Sequence, residues 1–366
     1  MKILYDHQIF TAQKYGGISR YFCELYSHIS QVPDIEPKIS VFYSENAYYS
    51  QIFPHKTPIP ERNFPGKQTG INLLNKYNSI IHLIKKNYEI FHPTYYDPYF
   101  LQYIKGKPFV LTVYDMIHEL FPQYFPFKDT TIQNKKRLIE IADCIIAISQ
   151  NTKRDIIKNY NIEEEKINVT YLGHSLYVTK KPSNLIFPSQ YILFVGDRHI
   201  YKNFNRFLKA IAPILSQNSS LHLVCAGGKE FSQQEKALMD DLSLRNKVIW
   251  YPVTNETLYH LYNNAICFVF PSLYEGFGIP ILESFFSGCP AVLSTGGSLP
   301  EIGGDAAVYF DPYDEVSMRN CIEDVLSDET KRDRLKEKGY KRVKEFSWIK
   351  TAQQTADVYR KVVGEK

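Results

Sequence analysis

The stretch Cys267–Gly288, CFVFPSLYEGFGIPILESFFSG, decides the fold because it holds a strand, a loop and a helix in succession. The apolar run CFVFPS predicts a buried β-strand, and PILESFFSG predicts a helix. Pro280 falls in the first helical turn, where a missing amide hydrogen breaks no hydrogen bond. The glycine-rich segment EGFG joins the two elements. This order is typical of a parallel sheet covered by helices.

The same alternation continues on both sides of this stretch. We predict strands in the first half at KILYD, KISVFY, YEIFHPTYY, FVLTVYD, CIIAIS and INVTYL. In the second half we predict strands at YILFVGD, LHLVCAGG, VIWYPV, CFVFPS, AVLST and AVYFDP. The predicted fold class is therefore α/β, with two doubly wound Rossmann-like domains facing each other across a cleft.

A proline-containing polar segment, KKPSNLIFPSQ at 180–190, interrupts the alternation and predicts a domain boundary. We expect a first domain over 1–182 and a second over 183–345. The last stretch, 346–366, reads as an amphipathic helix that packs back toward the first domain.

Composition excludes several classes of protein. Of 366 residues, 44% are hydrophobic and 22% charged, as in ordinary globular proteins, and no apolar run reaches the roughly 18 residues of a membrane span. The amino terminus has no signal-peptide core, so we expect a cytoplasmic protein. The six cysteines stand singly and predict buried free thiols. Residues 1–182 contain 22 Lys and Arg against 17 Asp and Glu, an excess too small for nucleic acid but suited to an anionic membrane surface or acceptor.

The opening stretch also predicts a ligand site. The backbone amides of Gly278, Ile279 and Ile281 lie at a helix start, where they would bind phosphate oxygens. Glu275 in the loop and Glu283 in the helix would repel a phosphate, but they can accept hydrogen bonds from hydroxyl groups on either side of it. A molecule with hydroxyls on both sides of a diphosphate is a nucleotide sugar.

The segment EGFGIPILE resembles the E-x7-E motif of retaining GT-B glycosyltransferases, in the large bacterial family 4, or group 1. Other segments agree in order with that family: GGISRY, VYDMIHE, ADCIIAIS, YILFVGDRHIYKN, VTNETLYHLYNNA and GGSLPEIGGDAA. The resemblance covers nearly the whole chain. It implies that Glu283 binds the ribose hydroxyls, that Glu275 touches the donor hexose, and that the sugar is transferred with retention of configuration.

A basic pair, Arg198 and Lys202, follows the first strand of the second half. Cations placed there would stabilise the charge that grows on a leaving nucleoside diphosphate. The chain has no D-x-D motif for a divalent metal, so we expect the basic pair to do this without metal or other cofactor. Asp197 separates Arg198 from the preceding glycine, unlike in some relatives, which leaves exposed loop charges as an alternative.

Weaker candidates lie in the first half. Gly16 and Gly17, after the first strand, would allow positive φ angles and a close approach to the donor, although a plain turn also explains them. Tyr114 stands where many relatives have a histidine, so the resemblance leaves His118 and then Asp115 to contact the sugar or acceptor. A structural histidine is the alternative.

Two further features complete the predicted site and surface. Val253 falls where the backbone of relatives contacts the nucleobase. The stripe INLLNKYNSIIHLIKK at 71–86 is apolar at helical spacing with lysines beside it, and fits either a membrane surface near a lipid-linked acceptor or a helix facing the core. The predicted donor-binding set is Gly16, Gly17, Arg198, Lys202, Val253, Glu275, Gly276, Phe277, Gly278, Ile279 and Glu283.

The function expected from these residues is transfer of a hexose from a GDP- or UDP-type sugar to a glycan or lipid-linked acceptor in bacterial surface polysaccharide synthesis. Mannose follows from overall similarity to polysaccharide mannosyltransferases, with glucose, N-acetylglucosamine and rhamnose left open. A nucleotide-sugar epimerase of similar fold and a non-catalytic nucleotide-sugar binding protein are the alternatives. A dinucleotide-dependent oxidoreductase is disfavoured because no G-x-G-x-x-G occurs.

Overall fold

The structure is a computed structural model that describes residues 1–54, 65–180 and 186–364. It divides into two compact units: unit 1 is Met1–Leu172 with Ser347–Lys366, and unit 2 is Gly173–Phe346. The division after Leu172 comes earlier than the predicted boundary at 182–183, which lies outside the described residues. The carboxyl-terminal segment groups with unit 1.

Unit 1 is built on parallel strands. They are β1 (Lys2–Tyr5), β2 (Glu36–Ile39), β3 (Ile90–His92), β4 (Val110–Val113), β5 (Cys144–Ala147) and β6 (Ile167–Val169). Two three-stranded sheets, ordered β2-β1-β3 and β4-β5-β6, are joined by a parallel bridge between Phe91 and Phe109. All six predicted strands are confirmed, although β2 ends at Ile39 instead of continuing through SVFY.

Helices of unit 1 alternate with these strands. They are α1 (Gln8–Ala12), α2 (Gly17–Ile29), α3 (Ala47–Ile52), α4 (Lys67–Lys85), α5 (Ile117–Leu120), α6 (Thr131–Ile141) and α7 (Gln150–Tyr160). Single 3₁₀ turns occur at Pro98–Gln102, Pro122–Tyr124 and Glu164–Lys166. Strands β1, β3, β4 and β5 are buried almost throughout, as expected of strands covered on both faces.

Unit 2 contains one six-stranded parallel sheet. Its strands are β7 (Gln190–Val195), β8 (Leu221–Ala226), β9 (Val248–Tyr251), β10 (Cys267–Phe270), β11 (Ala291–Ser294) and β12 (Ala307–Phe310). The order is β12-β11-β10-β7-β8-β9, that of a doubly wound nucleotide-binding sheet, and it confirms the six predicted strands. The order in which the chain adds strands reverses between the parallel neighbours β7 and β10. Doubly wound sheets bind ligands at such a point, in a crevice at the carboxyl ends of the strands.

The helices of unit 2 cover this sheet. They are α8 (Phe204–Gln217), α9 (Gln233–Asp241), α10 (Asn255–Asn264), α11 (Ile279–Phe286), α12 (Leu299–Gly303), α13 (Glu315–Ser327) and α14 (Glu329–Arg342). Further 3₁₀ turns occur at Ile200–Lys202, Gly304–Ala306 and Val343–Glu345. The core of the unit forms between the sheet and the apolar faces of α8 and α13.

A final helix, α15 (Trp348–Gly364), belongs to unit 1 and reaches its core through a polar network. The Tyr359 hydroxyl lies 2.9 Å from the Tyr5 hydroxyl and 2.6 Å from His92 Nδ1. His92 Nε2 lies 2.9 Å from Thr112 Oγ1 on the neighbouring strand. Burial lowers the pKa of His92 to about 3, so the ring stays neutral near pH 7.

Two expectations from composition have structural outcomes. All six cysteines lie among the described residues and none is in a disulfide; five are buried, as predicted, whereas Cys321 is partly exposed. Within the described ranges, no helix combines the length and the apolar character that crossing a bilayer requires.

Candidate active site

The two loops that follow β7 and β10 meet at the point where the strand order of unit 2 reverses. The amide of Leu273, in the loop after β10, donates to the carbonyl oxygen of Tyr201, in the loop after β7, at 2.8 Å. Ligands of doubly wound sheets bind at this edge, outside the carboxyl ends of the strands. The crevice therefore sits between the two segments in which the sequence placed Lys202 and Glu275.

Lys202 and Glu275 form an ion pair in this crevice. Lys202 Nζ lies 2.7 Å from Glu275 Oε1, and the side chains are 18% and 12% exposed. The ammonium also lies 5.3 and 5.4 Å from the ring centres of Tyr201 and Phe270. A cation and a carboxylate so largely removed from water attract each other more strongly than a surface pair. Two residues that the sequence singled out separately are thus brought together.

The start of α11 has the geometry of an anion site. Gly278 precedes the first residue of the helix and has a φ of 100°, in the left-handed region that favours glycine. A Cβ at this position would also lie 3.0 Å from side-chain atoms of Ile281 and of Leu299. Pro280 follows within the first two helical positions. The Ile281 amide donates to the Gly278 carbonyl oxygen at 2.9 Å, so the prediction that this amide is available to a phosphate is wrong. The helix dipole and the Ile279 amide at the start of the helix still favour an anion here.

Glu283 lies one turn inside α11 and is 3% exposed. The Tyr262 hydroxyl donates to its Oε2 at 3.4 Å. Because helical side chains lean toward the amino terminus, a glutamate at this position presents its carboxylate toward the start of the helix. The two glutamates of the motif therefore come from the loop and from the helix on the same strand-loop-helix unit.

Gly296, Gly297 and Ser298, after β11, support the loop that carries Glu275. Ser298 Oγ lies 3.0 Å from the Glu275 carbonyl oxygen and 2.9 Å from the Phe277 carbonyl oxygen, and its one hydrogen is shared between these two acceptors. A Cβ on Gly297, whose φ is 62°, would lie 2.4 Å from the Glu275 carbonyl oxygen. The two adjacent glycines of the segment GGSLPE are the feature of the sequence that could have indicated this close approach of the two loops.

Asn203 is a second residue whose part the sequence reasoning missed. It adopts a left-handed conformation with a φ of 61° immediately before α8 and is 6% exposed. Its Nδ2 donates to the Pro271 carbonyl oxygen at 3.1 Å and to the Pro312 carbonyl oxygen at 2.7 Å. Asn203 therefore ties the segment after Lys202 to the first residue beyond β10. Asparagine is among the few residues that tolerate this backbone conformation.

Arg198 lies in the same loop as Lys202 but has different partners. Its Nε donates to Glu235 at 2.5 Å, Nη2 donates to the Lys229 carbonyl oxygen, and the guanidinium lies 4.8 Å from the ring centre of Phe231. The side chain is 5% exposed. These contacts attach the loop to the start of α9, and the predicted contact of Arg198 with a diphosphate stays a prediction.

Val253 follows β9 and is 37% exposed. Its Cγ2 lies 3.4 Å from the position of a Cβ on Gly227, in the loop after β8. Thr254 caps α10 by accepting a hydrogen bond from the Thr257 amide at 3.3 Å. Val253 thus occupies the carboxyl edge of the sheet, and its predicted contact with the nucleobase is untested.

Gly16 and Gly17 of unit 1 do not have the positive φ angles that we predicted. Gly16 is extended, with a φ of 173°, and Gly17 is the first residue of α2. A Cβ on Gly16 would lie 2.1 Å from the Oε1 of Gln13, so the end of that flexible side chain would have to move. Gly17 has open space around the Cβ position.

Asp115 and His118 lie in the segment between β4 and α5. Asp115 Oδ1 accepts a hydrogen bond from the Ile117 amide at 3.0 Å. The His118 ring stacks on Phe125 with centres 3.8 Å apart, and its Nε2 lies 3.7 Å from Asp129 Oδ2. Partial burial, and then the nearby Lys135, lower the pKa of His118, which favours the neutral ring.

Beneath this segment lies a buried ion pair that the sequence did not indicate. Lys135 Nζ donates to the Asp115 carbonyl oxygen at 3.0 Å and to Glu119 Oε2 at 2.9 Å. The two side chains are 0% and 5% exposed, and the Tyr160 hydroxyl donates to the second oxygen of Glu119 at 2.7 Å. Such a pair holds the backbone of the Asp115 segment in place.

Unit 1 also has a cavity of about 510 Å³ between α1 and the first turns of α4. Amides and hydroxyls dominate its polar lining: Gln8, Thr11, Gln13, Asn46, Gln68, Thr69 and Asn72. Lys14 and Glu45 add one charge of each sign. Neutral polar groups beside Phe10 and Ile71 suit a ligand with hydroxyl groups and small apolar faces.

Over the part of the chain that the structure describes, no three His, Cys, Asp or Glu side chains come close enough to hold a metal ion.

Two Rossmann-like units, with a cation and two carboxylates at the strand-order reversal of the second, define the class of GT-B glycosyltransferases. The model for group 1 glycosyl transferases matches residues 179–342, and that for glycosyltransferase family 4 matches residues 15–176. The chain therefore belongs to the group 1, or family 4, glycosyltransferases, and the resemblance read from its motifs is confirmed.

Individual relatives agree with this assignment. The chain is 27% identical to O-antigen chain mannosyltransferase B of Escherichia coli over 94% of its own length and 96% of that protein. Its fold is similar to that of sucrose-phosphate synthase from Thermosynechococcus elongatus, with a TM-score of 0.77 and 18% identity over 100% and 99% of the two chains. Anabaena HepE, solved with UDP and glucose, has a TM-score of 0.73 and 16% identity over 98% of each chain.

Proposed function

We propose that this glycosyltransferase transfers mannose, with retention of configuration, from a GDP- or UDP-type nucleotide sugar to a glycan or lipid-linked acceptor. The surface polysaccharide of a bacterium is the proposed product, and the mannosyltransferase activity named for the E. coli relative supports this choice. The proposal includes a cytoplasmic location with peripheral contact to the membrane.

The observation that carries the proposal is the Lys202–Glu275 pair at the strand-order reversal, 2.7 Å apart and directly before the start of α11. A diphosphate at this position would receive the Lys202 ammonium and the positive end of the helix dipole. Glu275 would then be released to accept hydrogen bonds from the donor hexose, while Glu283 accepts them from the ribose. Val253 and the loop after β9 would contact the nucleobase.

Charge on the leaving diphosphate grows as the glycosidic bond breaks, so the fixed cation lowers the barrier to transfer. We propose that Lys202 supplies this stabilisation without a metal ion, with Arg198 holding its loop and approaching the phosphates. The acceptor hydroxyl attacks the anomeric carbon on the face that the diphosphate leaves, and a phosphate oxygen takes its proton.

Unit 1 would supply the acceptor side. The amide-lined cavity beside α1 has the neutral polar lining that saccharide hydroxyls require. Asp115 and the neutral His118 are the proposed contacts to the transferred sugar or the acceptor. Gly16 and Gly17 lie at the start of α2, next to Gln13 of the cavity.

The test is a panel of GDP- and UDP-sugars assayed for binding and slow hydrolysis, then for transfer to a mannose-terminated lipid-linked oligosaccharide. Lys202→Ala and Glu275→Ala should each lower turnover by at least about 100-fold, the scale of losing one group that stabilises transition-state charge. Lys209→Ala, an exposed lysine on α8, is the matched control and should keep full turnover. Conversion of the donor into an epimeric nucleotide sugar without any acceptor would indicate an epimerase. Donor binding without turnover would indicate a binding protein.

A further inference from the structure

Helix α4 turns a mixed face toward the core, where Ile71 and Leu83 are buried beside polar residues, and leaves a further apolar side exposed. A surface helix of a globular protein normally turns its apolar stripe toward the core. In α4 the side chains of Asn75 and Ser79 are fully buried, while Tyr77, Ile81 and Ile84 are 60%, 49% and 60% exposed. Leu73 and Leu74, at 55% and 50% exposed, continue the exposed side.

Hydrogen bonds fix the helix in this orientation. Asn75 Oδ1 accepts from the amides of Phe42, at 2.8 Å, and Tyr43, at 3.0 Å, and its Nδ2 donates to the Tyr43 carbonyl oxygen at 2.6 Å. The Ser79 hydroxyl lies 2.9 Å from His7 Nδ1 and from the Ser40 hydroxyl. Rotation of α4 to bury the apolar face would leave these buried polar groups without partners. These hydrogen bonds therefore favour the observed orientation, which leaves the apolar side exposed.

The exposed apolar side chains form one continuous stripe. At about 100° per residue, they fall within an arc of about 100° and extend about 16 Å along the helix axis. We call this the α4 stripe, formed by Leu73, Leu74, Tyr77, Ile81 and Ile84. A contiguous apolar surface rimmed by polar residues marks a binding surface, whereas single exposed apolar residues do not.

Positive charge borders the stripe. Lys85 and Lys86 are exposed in its last turn, and Lys86 donates to the Lys105 carbonyl oxygen at 3.4 Å, which places a third lysine beside them. Partial burial, and then the nearby Lys38 and Lys85, lower the pKa of His82 on the same turn. On the opposite edge, Lys76 pairs with Asp97 at 3.3 Å.

We propose that the α4 stripe and the lysines at its end dock on an anionic lipid bilayer, with the stripe at the level of the headgroups and upper acyl chains. Apolar side chains bordered by lysines are the features of helices that lie in a membrane interface. An anionic lipid surface fits both the apolar and the basic part.

The cavity beside α1 lies next to the α4 stripe. Gln68, Thr69 and Asn72, from the first turns of α4, line the cavity, and the stripe begins one residue later. A saccharide in the cavity would therefore lie next to the bilayer, so the acceptor is one whose carrier is anchored in the membrane. This last step rests on the proposed function, whereas the docking rests on the surface alone.

The test is co-sedimentation of the full chain with two kinds of vesicle, one of phosphatidylcholine alone and one that also contains about 30% of the anionic lipid phosphatidylglycerol. Tyr77→Gln/Ile81→Gln/Ile84→Gln should lower partitioning to anionic vesicles at least tenfold. Lys85→Gln/Lys86→Gln should lower it several-fold and reduce its sensitivity to salt. The matched control is Val316→Gln/Ile349→Gln, which replaces apolar residues of α13 and α15 that are 55% and 70% exposed. This variant should bind vesicles as the parent chain does.

Affinity for UDP and GDP, measured on the same samples, separates the two proposals. The stripe variant should bind nucleoside diphosphate as well as the parent chain, because unit 2 is unchanged. Equal vesicle binding by parent and stripe variant would overturn the docking proposal while leaving the proposed function in place. So would a parent chain that ignores vesicles but changes oligomeric state when the stripe is replaced, since this would identify a second copy as the occupant.

Discussion

Replacing Glu275 with Gln and Lys202 with Met should move the affinity for a nucleoside diphosphate in opposite directions. Without donor, Lys202 Nζ is held by Glu275 Oε1 at 2.7 Å, so an incoming diphosphate competes with the carboxylate for the same ammonium. Glu275→Gln removes the competing charge but keeps the shape of the side chain. Lys202→Met removes the cation itself and keeps most of its apolar stem.

The burial of the pair sets the size of both effects. Exposed pairs are worth about 0.2–1 kcal/mol, and removing one partner of a fully buried pair costs about 3–5 kcal/mol. With side chains 18% and 12% exposed, this pair lies between those limits, and we expect Glu275→Gln to tighten diphosphate binding by about 1 kcal/mol, or roughly fivefold. Loss of a charged hydrogen bond in Lys202→Met should weaken it by about 1.5–3 kcal/mol, or roughly 10- to 150-fold.

Isothermal titration calorimetry with UDP and GDP, at one ionic strength, measures both affinities, and urea unfolding checks that each variant is folded. Lys209→Met, on the exposed side of α8, should bind as the parent chain does. Turnover should still fall at least about 100-fold in Glu275→Gln, because the proposed function gives this carboxylate a contact with the hexose. Weaker diphosphate binding in Glu275→Gln, or unchanged binding in Lys202→Met, would refute the reasoning that Lys202 is the phosphate ligand.

Three further substitutions test a loop contact in unit 2, a buried ion pair in unit 1 and a buried histidine in unit 1. Gly297→Ala places a Cβ 2.4 Å from the carbonyl oxygen of Glu275 and should weaken UDP or GDP binding at least tenfold. Gly106→Ala is the control, because Gly106 has a similar φ of 80° but open space around its Cβ position, and it should leave binding unchanged. Lys135→Met leaves a carboxylate buried without its cation and should lower the free energy of unfolding by about 3–5 kcal/mol in urea denaturation; the neighbouring Lys136→Met, whose ion pair is 57% and 49% exposed, should change it by less than about 0.5 kcal/mol. The buried His92, with a pKa of about 3 against 6.5 unfolded, takes up a proton only on unfolding between these values, so stability falls as pH drops below 6.5. At pH 5 this loss is about 2 kcal/mol relative to pH 8, and a His92→Gln variant that shows the same pH dependence as the parent chain would contradict the assignment.

Local sequence patterns predicted most of the architecture. Every strand that we expected occurs, because a buried parallel strand leaves a short apolar run that stands out between helical segments. Glu275 and Glu283 could be placed on one strand-loop-helix unit for the same reason, and their part in a donor site stays a prediction.

Contacts between distant segments decided what the sequence left open. Lys202 and Glu275 are 73 residues apart, and nothing in either loop states that their side chains meet at 2.7 Å. Asn203 likewise joins its loop to carbonyl groups 68 and 109 residues away. The predicted positive φ of Gly16 is wrong because the backbone there is extended, and a Gly-Gly pair in the sequence does not state which backbone angle it adopts.

Helix α4 separates the two contributions most clearly. Its sequence determined a helix with an apolar stripe, since the spacing of its leucines, isoleucines and tyrosine is a local property of the chain. Which side of that helix meets water was decided by Asn75 and Ser79, whose partners at 7, 40, 42 and 43 come from other elements of unit 1. A buried polar group must be paired, and only the tertiary structure supplies the partner, so periodicity alone could not tell a core-facing stripe from an exposed one.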